Sequence, residues 1–414
     1  METTPATDAP ARHLVILGAS ARGLAESASR AGWTVHAADL FCDLDLLLAT
    51  RTAVRVGGDH PGGYPRGLAI AALRFPASAP WCYTGAIENH PDLIDAVAAA
   101  RPLAGNPAAL VRRIRDPALI AATVVEAGLA YPDTHRLAEG LPTDGTYLVK
   151  PLASAGGRGI RAWTSAAAAS WSACRGAVDH PGHIWQRFVA GTPMSASYVM
   201  SNGAARLVGL TRQLVGEDWC HATRFAWCGG VTSDRAELSE SFERLGVALA
   251  AAFRPVGAIG VDAVVDESGH VSVLEVNPRP TASMELFERS TGISVAAAHL
   301  AACGHATGWR AAHEPAPRET GSHWAKAVVF TGRDVRVNER LLDSLRQLAM
   351  PWTRVDGGWA ALADIPAADQ VLSAGSPICT LFASGRRPED ALARLRSRVA
   401  AADRLLRPAT ASAN

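Results

Sequence analysis

Asp262, Glu275, Asn277 and Arg279 lie in one short stretch, Gly257 to Pro280, and are the residues best suited to charge chemistry. Ile259 to Val265 is apolar and β-branched apart from Asp262. Asp266-Glu-Ser-Gly269 reads as a turn, and Val271, Val273, Leu274 and Val276 form a returning strand that Pro278 stops. The hairpin brings Asp262 near Glu275. Glu275 and Asn277 are two residues apart, so they leave the same face of their strand. Two carboxylates and an amide oxygen then converge in apolar surroundings. Burying uncompensated carboxylates costs on the order of several kcal/mol each, so a cation is the simplest partner. An all-oxygen donor set suits Mg²⁺, with Mn²⁺ as a substitute, and Mg²⁺ shares its shell readily with substrate phosphates. Arg279, held between two prolines, points the same way.

A second cluster lies upstream. The strand Thr146-Tyr-Leu-Val149 ends at Lys150-Pro151, and Gly156-Gly157-Arg158-Gly159 follows before another strand begins at Ile160. Glycines let backbone N–H groups turn towards phosphate oxygens, and Lys150 and Arg158 add charge. Alone the loop also fits an ordinary hairpin turn. Ile184 to Val189 is a further strand, carrying Gln186, Arg187 and Phe188.

The elements that position these groups belong to a long chain. Its 414 residues predict two or three domains, and 48% apolar content suits a globular protein. A net charge of +1 provides no field for nucleic acid or an anionic membrane, and no stretch reads as a spanning helix. Seven cysteines without a CxxC point to a reducing cytoplasm. The first residues lack a signal-peptide pattern and read as a loose tail.

His13 to Gly18, a turn, Leu24 to Ala31 and Gly32 to Asp39 form a βαβ opening with a parallel sheet. Ser20 replaces the middle glycine of a dinucleotide fingerprint, so the turn reads as a plain βα turn. Gly85 to Pro91 fits either a ligand loop at a strand end or a helix N-cap segment. Asp116-Pro117 starts a helix as N-cap and N1. Trp219 to Gly229 predicts a hairpin whose Cys220, His221 and Cys228 lack the fourth ligand and spacing of a zinc site; buried thiols are the ordinary reading. Arg212, Gln213, Glu285 and Glu288 stand open between substrate contact and solvated charge, and Glu285 is placed to receive an amine.

Lysine at a strand end, a glycine loop, Gln186-Arg187-Phe188-Val189, then a hairpin with an acid, Glu275-x-Asn277 and Arg279: this order resembles the ATP-grasp superfamily, over about Asn106 to His299. The layout is most similar to predicted ATP-dependent carboligases related to biotin carboxylase, some of which accompany methanopterin-type one-carbon cofactor genes. The resemblance implies an α/β (α+β) fold. It implies a Rossmann-like pre-ATP-grasp domain over 12–105, an ATP-grasp domain over 106–312 and a small C-terminal β-containing domain over 323–407. A linker at 313–322 and disordered tails at 1–11 and 408–414 complete the division. It implies that Lys150 binds the α/β-phosphates of ATP, and that Gly156, Gly157 and Gly159, with Arg158, form a flap over the γ-phosphate. Gln186, Arg187, Phe188 and Val189 would line the adenine, Asp262, Glu275 and Asn277 would hold Mg²⁺, and Arg279 would stabilise developing charge.

Three positions depart from that pattern. Asp116 is followed by Pro117 where the family often has its first ATP lysine, leaving Arg113 and Arg115 as the nearest cations. Gln186 replaces a glutamate in the adenine strand, and Asp262 replaces a longer glutamate. The expected activity is that of a carboxylate–amine ligase working through an acyl-phosphate and releasing ADP and phosphate. Alternatives are a carboxylase using carboxyphosphate and a non-catalytic nucleotide-binding protein. The expected partners are a small carboxylate and an amine, with a homodimer as an open assembly.

Overall fold

The structure is a computed structural model that describes residues 12–57, 60–174, 182–305, 322–350 and 359–410. The expected tail at 1–11, most of the 313–322 linker and the last four residues lie outside the described residues.

The apolar run His13–Leu17 forms one of the two inner strands of a four-stranded parallel sheet. Its neighbours are Thr34–Asp39 on one side, followed by Thr52–Arg55, and Trp81–Tyr83 on the other. Both faces of this strand are covered, and Leu14 to Leu17 have no exposed surface. This is why it reads as a continuous apolar run rather than an alternating one. The chain leaves it in both directions, so the crevice beyond its carboxyl end is the place where α/β sheets bind ligands.

A small antiparallel sheet orders Thr134–His135, His183–Arg187, Asp144–Pro151 and Arg161–Thr164. Lys150 lies opposite Ile184, and Leu148 opposite Gln186. Facing it is an eight-stranded sheet that begins with Val271–Asn277, Gly257–Val265, Thr192–Ser201, Ala204–Val215 and Trp227–Thr232. The tight turn between Ser201 and Ala204 uses Asn202 and Gly203 at φ 52° and 77°, the signature of a two-residue hairpin. His323–Phe330, Pro377–Gly385 and Leu362–Ala363 extend the same sheet. The C-terminal strands are therefore hydrogen-bonded into the central sheet, at Gly229 to Val231 against Ala325 to Ala327.

The helix expected to start at Asp116-Pro117 does so. Asp116 caps Pro117–Glu126 by accepting from the N–H groups of Ala118 and Leu119. Gly292, at φ 72°, ends Met284–Thr291 before Val295–Ala302 begins. One local expectation fails. Trp219 to Gly229 is not a hairpin in itself: Asp218–Cys220 is a single 3₁₀ turn inside the loop that joins Ala204–Val215 to Trp227–Thr232. Alternating sulfur and aromatic residues imitate strand periodicity there, but Gly216, at φ 63°, turns the chain off the sheet first. Cys220 and Cys228 are fully buried, and His221 lies 3.0 Å from Asp403.

Candidate active site

The hairpin forms as its sequence requires. Asp262 pairs directly with Glu275, and the register shifts immediately afterwards, between Asp262 and Ala263. The turn is fixed by Asp266, whose Oδ1 accepts from the N–H groups of Ser268 and His270, both at 2.9 Å. Asn277 follows on the same face as Glu275. Among the described residues, neither acid is in an ion pair with a cationic side chain. Gln213 Nε2 donates to Asp262 Oδ1 at 2.6 Å, and Asn277 Nδ2 donates to Asp262 Oδ2 at 3.1 Å.

The surroundings differ from the sealed apolar pocket that the sequence suggested. Asp262 is half-buried and Asn277 is buried, but Glu275 opens onto the water of a cleft of about 490 Å³ enclosed between the two antiparallel sheets. Burial and the repulsion of Glu275 raise the Asp262 carboxyl to about 7. Burial would raise Glu275 too, but Lys150 and Arg115 outweigh it and hold Glu275 below its ordinary value. Burial lowers Lys150, whose ammonium donates to Gln186 Oε1 at 2.7 Å. That bond explains the glutamine: its carbonyl receives Lys150, while its Nε2 donates to Thr134 Oγ1 at 3.2 Å.

The cleft brings together Lys150, Gly156, Gly157, Gln186, Arg187, Phe188, Val189, Asp262, Glu275, Asn277 and Arg279. Arg158 and Gly159 lie outside its lining, on the outer side of the glycine loop. The loop is docked rather than open. Trp227 N–H donates to Gly156 O at 3.1 Å, and Asn89 Nδ2 donates to Ser154 O at 3.1 Å. At Gly157, with φ 79°, a Cβ would meet Phe225 O at 1.8 Å, so only glycine allows this approach.

Residues distant in sequence complete the site. The Gly85 to Pro91 segment leads into the helix Pro91–Ala98, and its 3₁₀ turn Ile87–Asn89 places Glu88 on the cleft. Glu88 Oε1 accepts from Arg279 Nε and Nη2 at 2.8 and 2.6 Å, while its buried Oε2 has no partner. Asn89 Oδ1 accepts from Arg115 Nη1 at 2.7 Å, and Arg115 lines the cleft. Arg113 points elsewhere, over the Phe253 ring. Of the two candidates for the missing lysine, Arg115 is thus the one at the site. Likewise Gln213 reaches Asp262, while Arg212 is exposed outside the lining.

Glu285 is not a free amine receiver. Arg22 Nη1 and Arg289 Nη2 donate to its Oε1 at 2.6 and 3.2 Å, and Lys326 Nζ and Arg22 Nη2 to its Oε2 at 2.9 and 3.2 Å. Glu288 is paired with Arg30 at 2.8 Å. These ion pairs wall a second cavity of about 320 Å³ that shares Arg279, Thr281, Gly156 and Trp227 with the cleft.

Two facing antiparallel sheets, a glycine flap and an acid-bearing hairpin beyond a parallel-sheet domain define the ATP-grasp fold. Residues 115–283 match the ATP-grasp domain family. Residues 115–283 thus form an ATP-grasp domain, and the chain shares its fold with biotin carboxylase. Among solved structures, the ADP complex of N5-carboxyaminoimidazole ribonucleotide synthetase superposes with a TM-score of 0.67 at 13% identity, over 96% of this chain and 98% of that one. The biotin carboxylase domain of Hydrogenobacter thermophilus 2-oxoglutarate carboxylase gives 0.66 at 14%, over 93% and 89%. L-amino acid ligase from Bacillus licheniformis gives 0.64 at 14%, over 94% and 96%. At such identities the likeness is one of fold. No curated protein sequence matches the chain significantly.

Proposed function

We propose that the protein is a cytoplasmic ATP-dependent ligase that joins a small carboxylate to an amine, releasing ADP and phosphate. The observation that carries this reading is the convergence of Lys150, the docked glycine flap, the Asp262–Glu275–Asn277 face and Arg279 on one cleft. The residues fit a divalent cation. Asp262 and Glu275 face each other with only neutral donors close by, the amides of Gln213 and Asn277 and the Ser195 hydroxyl, and burial and the repulsion of Glu275 raise the Asp262 carboxyl. Glu275, Asp262 and the Asn277 amide oxygen would hold Mg²⁺. The Asn277 oxygen now accepts from Arg279 at 3.3 Å, so the amide rotates to present it. When bound, the ion would neutralise phosphate charge as the γ-phosphoryl is transferred.

The remaining work falls to side chains of this chain. Lys150 is a mobile point charge whose hydrogen bond to Gln186 is exchanged for one to phosphate oxygen. Arg115 adds a second cation on the same side. The Gly156–Gly157 turn excludes water by closing on Phe225 and Trp227. Arg187, the last residue of the strand His183–Arg187, and Phe188 and Val189 just past it form the edge against which a purine lies. Arg279 stands between the two cavities, where charge develops on the acyl-phosphate oxygens as the amine attacks. Glu88 holds its guanidinium in place and, by Coulomb attraction, keeps it strongly cationic against the opposing effect of burial.

Purified protein given Mg-ATP with pools of carboxylates and amines is expected to release ADP and phosphate only when a matching pair is present. Bicarbonate in place of the acid tests the second reading, a carboxyphosphate route; that reading is favoured by the full-length likeness in fold to carboxylases. Nucleotide binding with no turnover in any pool would leave a binding protein instead.

A further inference from the structure

The smaller cavity lies across Arg279 from the larger cleft, and its charges are almost all committed. Arg22 is bound to Asp364 and Glu285 and lies 3.5 Å from Asp45; Lys326 is bound to Glu285; Thr380 donates to Asp364. Asp45 itself accepts from the N–H groups of Asp364 and Ile365. Asp43 is the exception. It lines the cavity, is only 5% exposed, and takes part in no hydrogen bond or ion pair of its side chain among the described residues. It stands directly before the helix Leu44–Ala49, where an aspartate ordinarily caps the first turn, yet its carboxylate makes no cap bond. Burial, with Asp364, Asp39 and Asp45 adding repulsion against the single pull of Arg22, raises its carboxyl. The walls beside it are apolar: Phe41, Pro366, Leu372, Pro377 and Ile378.

An acid this buried and unpaired is pushed toward its neutral form, and a cation of a ligand beside it would recover the charged one. Glu285, which the sequence left open between an amine contact and a solvated charge, already has three cations around it. We propose that the smaller cavity binds the acceptor as an ammonium-bearing molecule with an apolar body, and that Asp43 pairs with its positive charge. The cavity is of the size and mixed lining that small ligands occupy. The inference deepens the ligase reading by naming the class of its amine, and it rests on that reading for the word acceptor; the binding itself is measured without turnover.

The test is a ligand-observed NMR titration of the full chain with benzylamine, benzyl alcohol and benzoate, probes of one shape and three charges. Wild type is expected to bind benzylamine, and benzyl alcohol and benzoate at least roughly tenfold more weakly, as loss of a charge-assisted contact predicts. Asp43→Asn should erase that preference, Asp43→Glu should retain it, and the melting temperature of each variant reports its folding. Equal benzylamine binding by wild type and a folded Asp43→Asn, a preference for benzoate or benzyl alcohol, or no binding by any probe would each overturn the proposal. If amines bind through Asp43 but no acid–amine pair releases ADP, the ligase reading fails while the cavity assignment stands. If amines are turned over with the same KM in Asp43→Asn, the reverse holds.

Discussion

On one side of Arg279, Asp262 and Glu275 face each other with neutral donors, amide N–H groups and the Ser195 hydroxyl, around them. On the other side, Glu285 is enclosed by Arg22, Arg289 and Lys326, and only Asp43 is left over. The first arrangement is locally unstable and waits for a cation. The second is a closed ion-pair network that ties the first helix to Met284–Thr291 and the C-terminal strands, and so fixes the shape of the wall. Unpaired charge here marks where ligands complete the protein, and paired charge marks where the protein completes itself.

Breaking the larger cleft should have the largest effect. Glu275→Ala with Asn277→Ala should lower turnover by about three orders of magnitude, the several kcal/mol that metal charge stabilisation supplies, while urea unfolding shows an intact fold. Next comes a stability contrast that tests the paired–unpaired distinction itself. Glu285→Gln should cost about 3–5 kcal/mol, because it strands buried cations. Asp262→Asn, measured without divalent ions, should cost less than about 1 kcal/mol or stabilise, because it removes repulsion from Glu275. Comparable losses in both variants would erase the distinction.

A smaller effect comes from behind the hairpin. His299 is buried, accepts from Ala258 N–H at Nδ1 and donates from Nε2 to Ala104 O, each at 3.0 Å. Burial lowers its pKa from 6.5 to about 4. The unfolded chain therefore binds the proton first, and stability present above pH 6.5 is lost as the pH falls towards 4. The loss should be about 3 kcal/mol at 1.36 kcal/mol per unit, and His299→Gln should flatten that part of the pH–stability curve. Smallest is Glu88→Gln, which leaves Arg279 less firmly held. It should cost about tenfold in kcat/KM and, because it leaves the Arg279 guanidinium without its carboxylate, lower the melting temperature as well, by less than Glu285→Gln.

The sequence was most legible where structure is local. Alternation, the Asp266-Glu-Ser-Gly269 turn and Pro278 together set the pairing of Asp262 with Glu275, since a one-residue slip would face one of them the other way. The glycine loop was legible for the same reason, although its docking on Phe225 and Trp227 was not. What escaped was long-range. Glu88 meets Arg279 across 191 positions and Arg22 meets Glu285 across 263, and no periodicity carries such pairings. Glu285 read as solvated or substrate-facing because its partners lie on other elements. Asp43 carries no signal in the sequence, and in the structure the absent cap bond sets it apart. The C-terminal strands read as a unit of their own because edge pairing leaves no mark in composition; in the structure they continue the central sheet.

The central claim is that the Asp262–Glu275–Asn277 face holds a divalent cation together with nucleotide. The most direct measurement is electron paramagnetic resonance of Mn²⁺ with the full chain and ADP. Wild type should sequester Mn²⁺ only when ADP is present, and the Glu275→Ala/Asn277→Ala variant should leave it free in solution. Mn²⁺ sequestered equally by both proteins would contradict the account.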